Sequence, residues 1–252
     1  MVSAPSGLLT CLPKLLAERT ISLDIRLRFF QSLALSLISL FILAQNASGD
    51  SRPIILVLGD SLSAGYGVEL EDTWIALLEA RLEEKGYGYR VVNASISGDT
   101  TGNGLRRLPR SLDIHQPEIL IIELGGNDGL RGLPVEMMRD NLAKMIRIAA
   151  ENDIQVVLAG MLIPPNYGDD YTNEFAAVFP SLAAEYDTPL IPFFMEGVAL
   201  DADKMQADGI HPNTDAQSIL METVWTTLEP ELAKQAAAQS NSYPRTELMS
   251  QR

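Results

Sequence analysis

The chain has 252 residues, 46% of them hydrophobic and 21% charged, which suits one globular domain with appendages. Its 33 acidic residues outnumber 19 basic ones, for a formal charge of −14; that balance excludes the basic face a nucleic-acid binder needs to neutralise phosphates. Two histidines and one cysteine are too few for a zinc site of those ligands, and a lone cysteine excludes an intrachain disulfide.

Arg26 and Arg28 precede an uncharged run from Phe29 to Ala44, and the small polar stretch 45–49 follows. A basic flank, an apolar core and a small-residue exit predict a secretory signal peptide, with an uncleaved anchor as the alternative. The run is short for a membrane span and is interrupted by Gln31, Ser32, Ser36 and Ser39. Cys11 lies ahead of the apolar core, so it cannot be acylated at the cleavage point. Signal peptide and leader are assigned to residues 1–47, the folded domain to 48–233, and a tail expected to be disordered to 234–252, which lacks an apolar stripe.

Ile54–Leu58 reads as a buried strand, since a continuous apolar run has no polar face. Trp74, Leu77, Leu78 and Leu82 follow at helical spacing, with Gly86 as the stop. Tyr89–Val92 is the second strand and Glu118–Leu124 the third. Met138, Leu142, Met145, Ile146 and Ala149 mark a helix face. Gln155–Leu158 is the fourth strand, Phe175–Tyr186 a helix and Pro189–Phe193 the fifth strand. Ala216, Ile219, Leu220, Val224 and Leu228 stripe a closing helix. Apolar strands alternating with helices predict an α/β fold, a parallel sheet covered on both faces.

In such folds the loops leaving the carboxyl ends of the strands build the site. Gly59-Asp60-Ser61-Leu62-Ser63 follows the first strand, Asn93–Asp99 the second, Gly125-Gly126-Asn127-Asp128 the third, and Asp208–Asn213 precedes the last helix. A serine needs a neighbouring base to become a nucleophile. His115 enters a strand at its amino end and reads as a surface residue. His211 lies on the predicted rim, and Asp208 three residues earlier can reach its Nδ1, leaving Nε2 free to accept a proton. Ser61 and Gly98 can offer backbone N–H groups, and Asn127 a side-chain NH₂, to an oxyanion. Taken singly, Gly98 is also an ordinary turn glycine and Asn127-Asp128 an Asx turn. Asp60 is a rival base, though a structural role between loops suits it better. Ser63 stands where a nucleophile elbow would need its second glycine. A flavodoxin-like phosphate-binding module is the non-enzymatic alternative, but the Gly59–Gly67 loop has neither G-x-G-x-x-G nor a P-loop lysine.

These residues resemble the four sequence blocks of the SGNH (GDSL) hydrolases: Gly59-Asp60-Ser61-Leu62-Ser63, Gly98, Gly125-Gly126-Asn127-Asp128, and Asp208 with His211. Residues 93–109, 122–132 and 208–217 are similar to the branch of that family that hydrolyses acyl thioesters, lysophospholipids and aryl esters, and the likeness runs from about residue 53 to 232. It implies a three-layer α/β/α sandwich on a five-stranded parallel sheet, Ser61 as nucleophile, His211 as base and Asp208 as orienting acid. It implies the same oxyanion donors, Ser61, Gly98 and Asn127, and no metal or cofactor. A segment that moves on substrate binding would be Gly129-Leu130-Arg131-Gly132-Leu133-Pro134, with the two glycines as hinges. The apolar segments Val178-Phe179 and Phe193-Phe194-Met195 suit an acyl pocket or the core. The partner expected is a small-molecule ester or thioester met by an exported monomer, with no nucleic acid and no membrane insertion after the leader is removed. A carbohydrate O-acetylesterase on the same scaffold is the rival.

Overall fold

The computed structural model describes residues 50–242. The leader and signal peptide expected at 1–47, and residues 243–252 of the tail, lie outside them. The strands are β1 (Ile54–Gly59), β2 (Arg90–Asn93), β3 (Ile119–Glu123), β4 (Gln155–Ala159) and β5 (Leu190–Ile191). Between and after them run α1 (Ser61–Ala64), α2 (Trp74–Glu84), α3 (Thr101–His115), α4 (Gly126–Leu130), α5 (Val135–Ala150), α6 (Asp169–Tyr186) and α7 (Gln217–Ser242). The sheet is parallel throughout, in the order β2-β1-β3-β4-β5.

The apolar runs decide this arrangement. Every residue of β1 and β3 is buried, so these strands need cover on both faces. Helices supply it: α2 packs on α7, while α3 packs on α5 and α5 on α6. The result is the expected α/β sandwich with the doubly wound order in which the direction of winding reverses between β1 and β3. Ligands of such sheets bind outside the carboxyl ends at that reversal, which is where β1 delivers Ser61 and β3 delivers Asn127.

Short helices form at α1 and α4 on stretches read as loops, and four further elements differ from the sequence reading. Apolar periodicity does not mark α3, because Gly102, Gly104 and Pro109 lower its helix propensity; Leu108 and Leu112 nevertheless bury its inner face, and Thr100 caps it through Asn103 N. β5 is trimmed to Leu190–Ile191 by Pro189 and Pro192, which have no N–H to give a ladder. α6 begins at Asp169 rather than near Phe175, with Asp169 and Asp170 in a first turn that favours negative charge. α7 continues past residue 233 to Ser242. Polar contacts hold this extension, where no apolar stripe exists to reveal it: Gln235 Nε2 donates to Gln155 Oε1 at 2.7 Å, and Lys234 pairs with Glu231 at 2.6 Å. Among the described residues no helix is long and apolar enough to cross a membrane.

The segments Val178-Phe179 and Phe193-Phe194-Met195 divide. Val178, Phe179 and Phe194 are core: Phe179 packs edge-on against Phe175, and Phe194 against Trp74.

A buried Gln217 side chain joins the start of α7 to the start of α2, its Oε1 accepting from Trp74 N at 3.0 Å. Gln217→Leu orphans that buried N–H and should cost about 1–3 kcal/mol, read as a lower urea midpoint at unchanged slope.

Candidate active site

The chain leaves β1 at Gly59 and turns at once. Asp60 caps α1, its Oδ1 accepting from Leu62 N at 3.0 Å, and Gly65 closes the turn with a left-handed φ of 75°. Ser61 is therefore the first residue of α1, where helix N–H groups have no intrahelical partner. Gly59 is required by contact: a Cβ there would stand 2.6 Å from Glu123 Oε2 and 2.7 Å from Ser63 Cβ.

The loop before α7 brings His211 to this turn. His211 Nε2 lies 2.9 Å from Ser61 Oγ, and Nδ1 lies 2.7 Å from Asp208 Oδ2. Asp208 Oδ1 accepts from Ile210 N and His211 N, at 2.9 and 3.0 Å. These backbone bonds, with the bond from the imidazole, hold the Asp208 carboxyl down to about 2. A carboxylate that only accepts places the hydrogen on Nδ1 and leaves Nε2 free to take one from Ser61. Tyr66 lies against the imidazole, ring centroids 4.4 Å apart. Gln206 ties the two loops together: its Nε2 donates to Tyr66 O and Pro212 O, and its N–H donates to His211 O. His115, the last residue of α3, is half-buried at the amino end of β3, on the far edge of the sheet.

Gly98 adopts φ 82°, a conformation that favours glycine. Its loop is pinned by Arg107, which donates to Asp99 Oδ2 at 2.6 Å, to Gly59 O at 3.1 Å and to Ala94 O. Asn127 on α4 donates through Nδ2 to Asp60 Oδ2 at 2.9 Å. That bond uses one of two amide hydrogens and leaves the other for a ligand oxygen. Asp60 thus joins the turn after β1 to the turn after β3, the structural role expected of it. Asp128 makes no local Asx turn; its buried carboxyl accepts from Thr101 N and Oγ1, at 2.8 and 2.6 Å. In the segment 129–134, Gly129 is buried in α4, where a Cβ would meet Ile163 at 2.5 Å, while Gly132 has a left-handed φ of 60° and open space around it. Arg131 donates to Gly98 O at 2.9 Å. Leu130 and Leu133 offer their carbonyls to Tyr167 and Tyr171.

One residue of the site escapes motif reasoning. Glu123, at the end of β3, is fully buried beneath the serine turn. Its Oε2 accepts from Ser63 Oγ at 2.6 Å and from Asp60 N at 3.4 Å, while Oε1 has no protein partner. Burial, and then the nearby Asp60 charge, push this carboxyl well above its ordinary range. Burial also pushes Asp60 up to about 6, against the hydrogen bonds from Leu62 and Asn127. The available signal was an acid closing an otherwise apolar buried strand. Among the described residues no three His, Cys, Asp or Glu side chains gather as metal ligands. Two shallow concavities of about 400 and 500 Å³ lie around Ile154, near the amino end of β4, away from Ser61.

Comparison with known proteins identifies the family. A sequence model of the GDSL-like lipase/acylhydrolase family matches residues 57–219. Esterase TesA of Pseudomonas aeruginosa is 48% identical over 193 residues, covering 77% of this chain and 94% of its own. Thioesterase 1/protease 1/lysophospholipase L1 of Escherichia coli K12 is 43% identical over 191 residues, 76% of this chain and 90% of its own. The crystal structure of the psychrotrophic esterase EstA from Pseudoalteromonas, inhibited by monoethylphosphonate, superposes with a TM-score of 0.69 at 38% identity, covering 71% of this chain and 98% of that one.

Two outcomes follow from the buried acids. Glu123→Gln keeps an acceptor for Ser63 and Asp60 and should lose less stability than Glu123→Ala, which strips both of it and should lose about 1–3 kcal/mol on thermal or urea unfolding. For Asp60 the native carboxyl keeps its proton up to about pH 6, against 3.8 for the ordinary group. Between those values the folded state binds more protons than the unfolded state, so stability falls as pH rises. The melting temperature of wild type relative to Asp60→Asn should therefore decline across that window and be flat above it.

Proposed function

The chain belongs to the GDSL-like lipase/acylhydrolase family of SGNH hydrolases, and on that premise we propose that it is an exported serine esterase acting on carboxylic esters and thioesters. The observation that carries this reading is the line Asp208–His211–Ser61, with contacts of 2.7 and 2.9 Å at the two imidazole nitrogens. Ser61 Oγ attacks the carbonyl carbon as His211 Nε2 takes its proton, and Asp208 stabilises the imidazolium. The carbonyl oxygen, now an anion, is held by the N–H groups of Ser61 and Gly98 and by the Asn127 amide. His211 returns the proton to the departing alkoxide or thiolate as the C–O or C–S bond breaks. Water, deprotonated by the same imidazole, then releases the acid from Ser61.

Aryl esters, acyl thioesters and lysophospholipids are the substrate class, in keeping with the names of the relatives. Exposed apolar side chains at Ile96 and Leu162, both on loops at the carboxyl rim, favour acyl groups longer than acetyl. Export rests on the signal peptide expected at residues 1–47.

The test uses the chain without its leader and a series of p-nitrophenyl esters from acetyl to palmitoyl, with an organophosphonate label located by mass spectrometry. Labelling of Ser61 and a preference for medium or long chains are expected, with both activity and label lost in Ser61→Ala. A preference for acetyl would move the substrate to acetylated sugars; no hydrolysis and no label on folded protein would overturn the reading. Asn127→Ala should lower kcat on the order of 10²–10³-fold, and a loss under about tenfold would remove Asn127 from the oxyanion site.

A further inference from the structure

The proton that leaves Ser61 must be handed to the departing atom, so the leaving group has to sit at His211 Nε2. Whatever flanks that imidazole on its open side therefore borders the leaving group, whereas the carbonyl oxygen is claimed by Gly98 and Asn127. The ring that lies against it is that of Tyr66. Tyr66 is 52% exposed although its ring lies 4.4 Å from the imidazole and tilted 37° to it.

Nothing about the fold calls for an aromatic ring half in water at this position, since burial is what an aromatic contributes to a core. The ring is nonetheless held in place. Gly65 and Gly67 on either side have left-handed φ angles of 75° and 72°. Between them, the Tyr66 carbonyl accepts from Gln206 Nε2 at 2.7 Å, and the Tyr66 N–H donates to Ser61 O at 3.2 Å. Gln206 also donates from its backbone to His211 O at 2.7 Å. Ring, imidazole and nucleophile thus form one fixed unit with an apolar face left open to solvent.

We propose that Tyr66 forms a leaving-group subsite that selects planar, apolar alcohols such as phenols over short alkyl alcohols. The inference rests on the serine-esterase reading and names the half of the substrate which that reading leaves open. An aryl leaving group stacks offset on the Tyr66 ring, a contact an alkyl group makes poorly. The Tyr66 contact should favour the aryl ester by about two- to tenfold.

Phenyl butyrate and ethyl butyrate test this, because both pass through the same butyryl-enzyme and differ only in what leaves. Their kcat/KM values are compared in wild type, Tyr66→Ala and Tyr66→Phe, with thermal melts confirming that each protein is folded. Tyr66→Ala should lose about two- to tenfold more on phenyl butyrate than on ethyl butyrate, and Tyr66→Phe should keep the wild-type ratio. If Tyr66 only braces His211, its loss weakens the general acid, and the poorer leaving group, ethoxide, suffers more. The ratio then moves in the opposite direction, and that result overturns the proposal, as does an unchanged ratio. Failure of the wild type to hydrolyse either ester would overturn the serine-esterase reading itself, and this inference with it.

Discussion

The site is organised around a carboxyl that never meets water. Strand register sets Gly59 of β1 beside Glu123 of β3, and the missing Cβ at Gly59 is the space the Glu123 carboxyl fills. From there Glu123 reaches up into the serine turn through Ser63 and the Asp60 N–H. A charged carboxylate in that position would carry a desolvation cost with no cation to offset it, which raises the carboxyl well above its ordinary range. The serine turn is therefore fixed to the same strand that continues into Gly125, Gly126 and Asn127, and the spacing of the two loops follows from the sheet.

Three acids around Ser61 are driven to three different states by their surroundings. Glu123 is buried without a compensating charge, which pushes its carboxyl well above the ordinary range. Asp60 is buried too, but hydrogen bonds from Leu62 and Asn127 hold it near 6. Asp208 is exposed and accepts from two backbone N–H groups and the imidazole, which hold it near 2. Only Asp208 is shifted toward its ionised form. One functional group thus supplies a buried strut, a bridge between loops and a carboxylate bound to an imidazole. Arg107 does the corresponding work for Gly98, since its planar fork reaches Asp99 and the carbonyls of Gly59 and Ala94 at once, which a lysine could not do.

Much of the architecture was legible because a parallel sheet writes itself as uninterrupted apolar runs. β1, β3 and β4 fall where Ile54–Leu58, Glu118–Leu124 and Gln155–Leu158 predict them. α3 was obscured because its glycines and Pro109 lower local propensity and only packing against α5 and β1 restores the helix. The far end of α7 was obscured for a different reason: side-chain amides anchor it, and amides carry no periodic signal.

The sequence by itself determined the family, the residue types of the candidate site and their address. A serine, a histidine with an aspartate three residues before it, a glycine and an asparagine fall on loops that a parallel sheet must gather at one edge, because every strand in it points the same way. The local turn 208–211 also suffices to set the tautomer of His211. Only the tertiary structure decided how these pieces are held. Glu123 lies 60 residues from Ser63, and Asp60 lies 67 from Asn127. The exposed ring of Tyr66 meets His211 through a glutamine 140 residues away. Contacts across such separations depend on strand register and loop closure, which no local pattern of residues encodes.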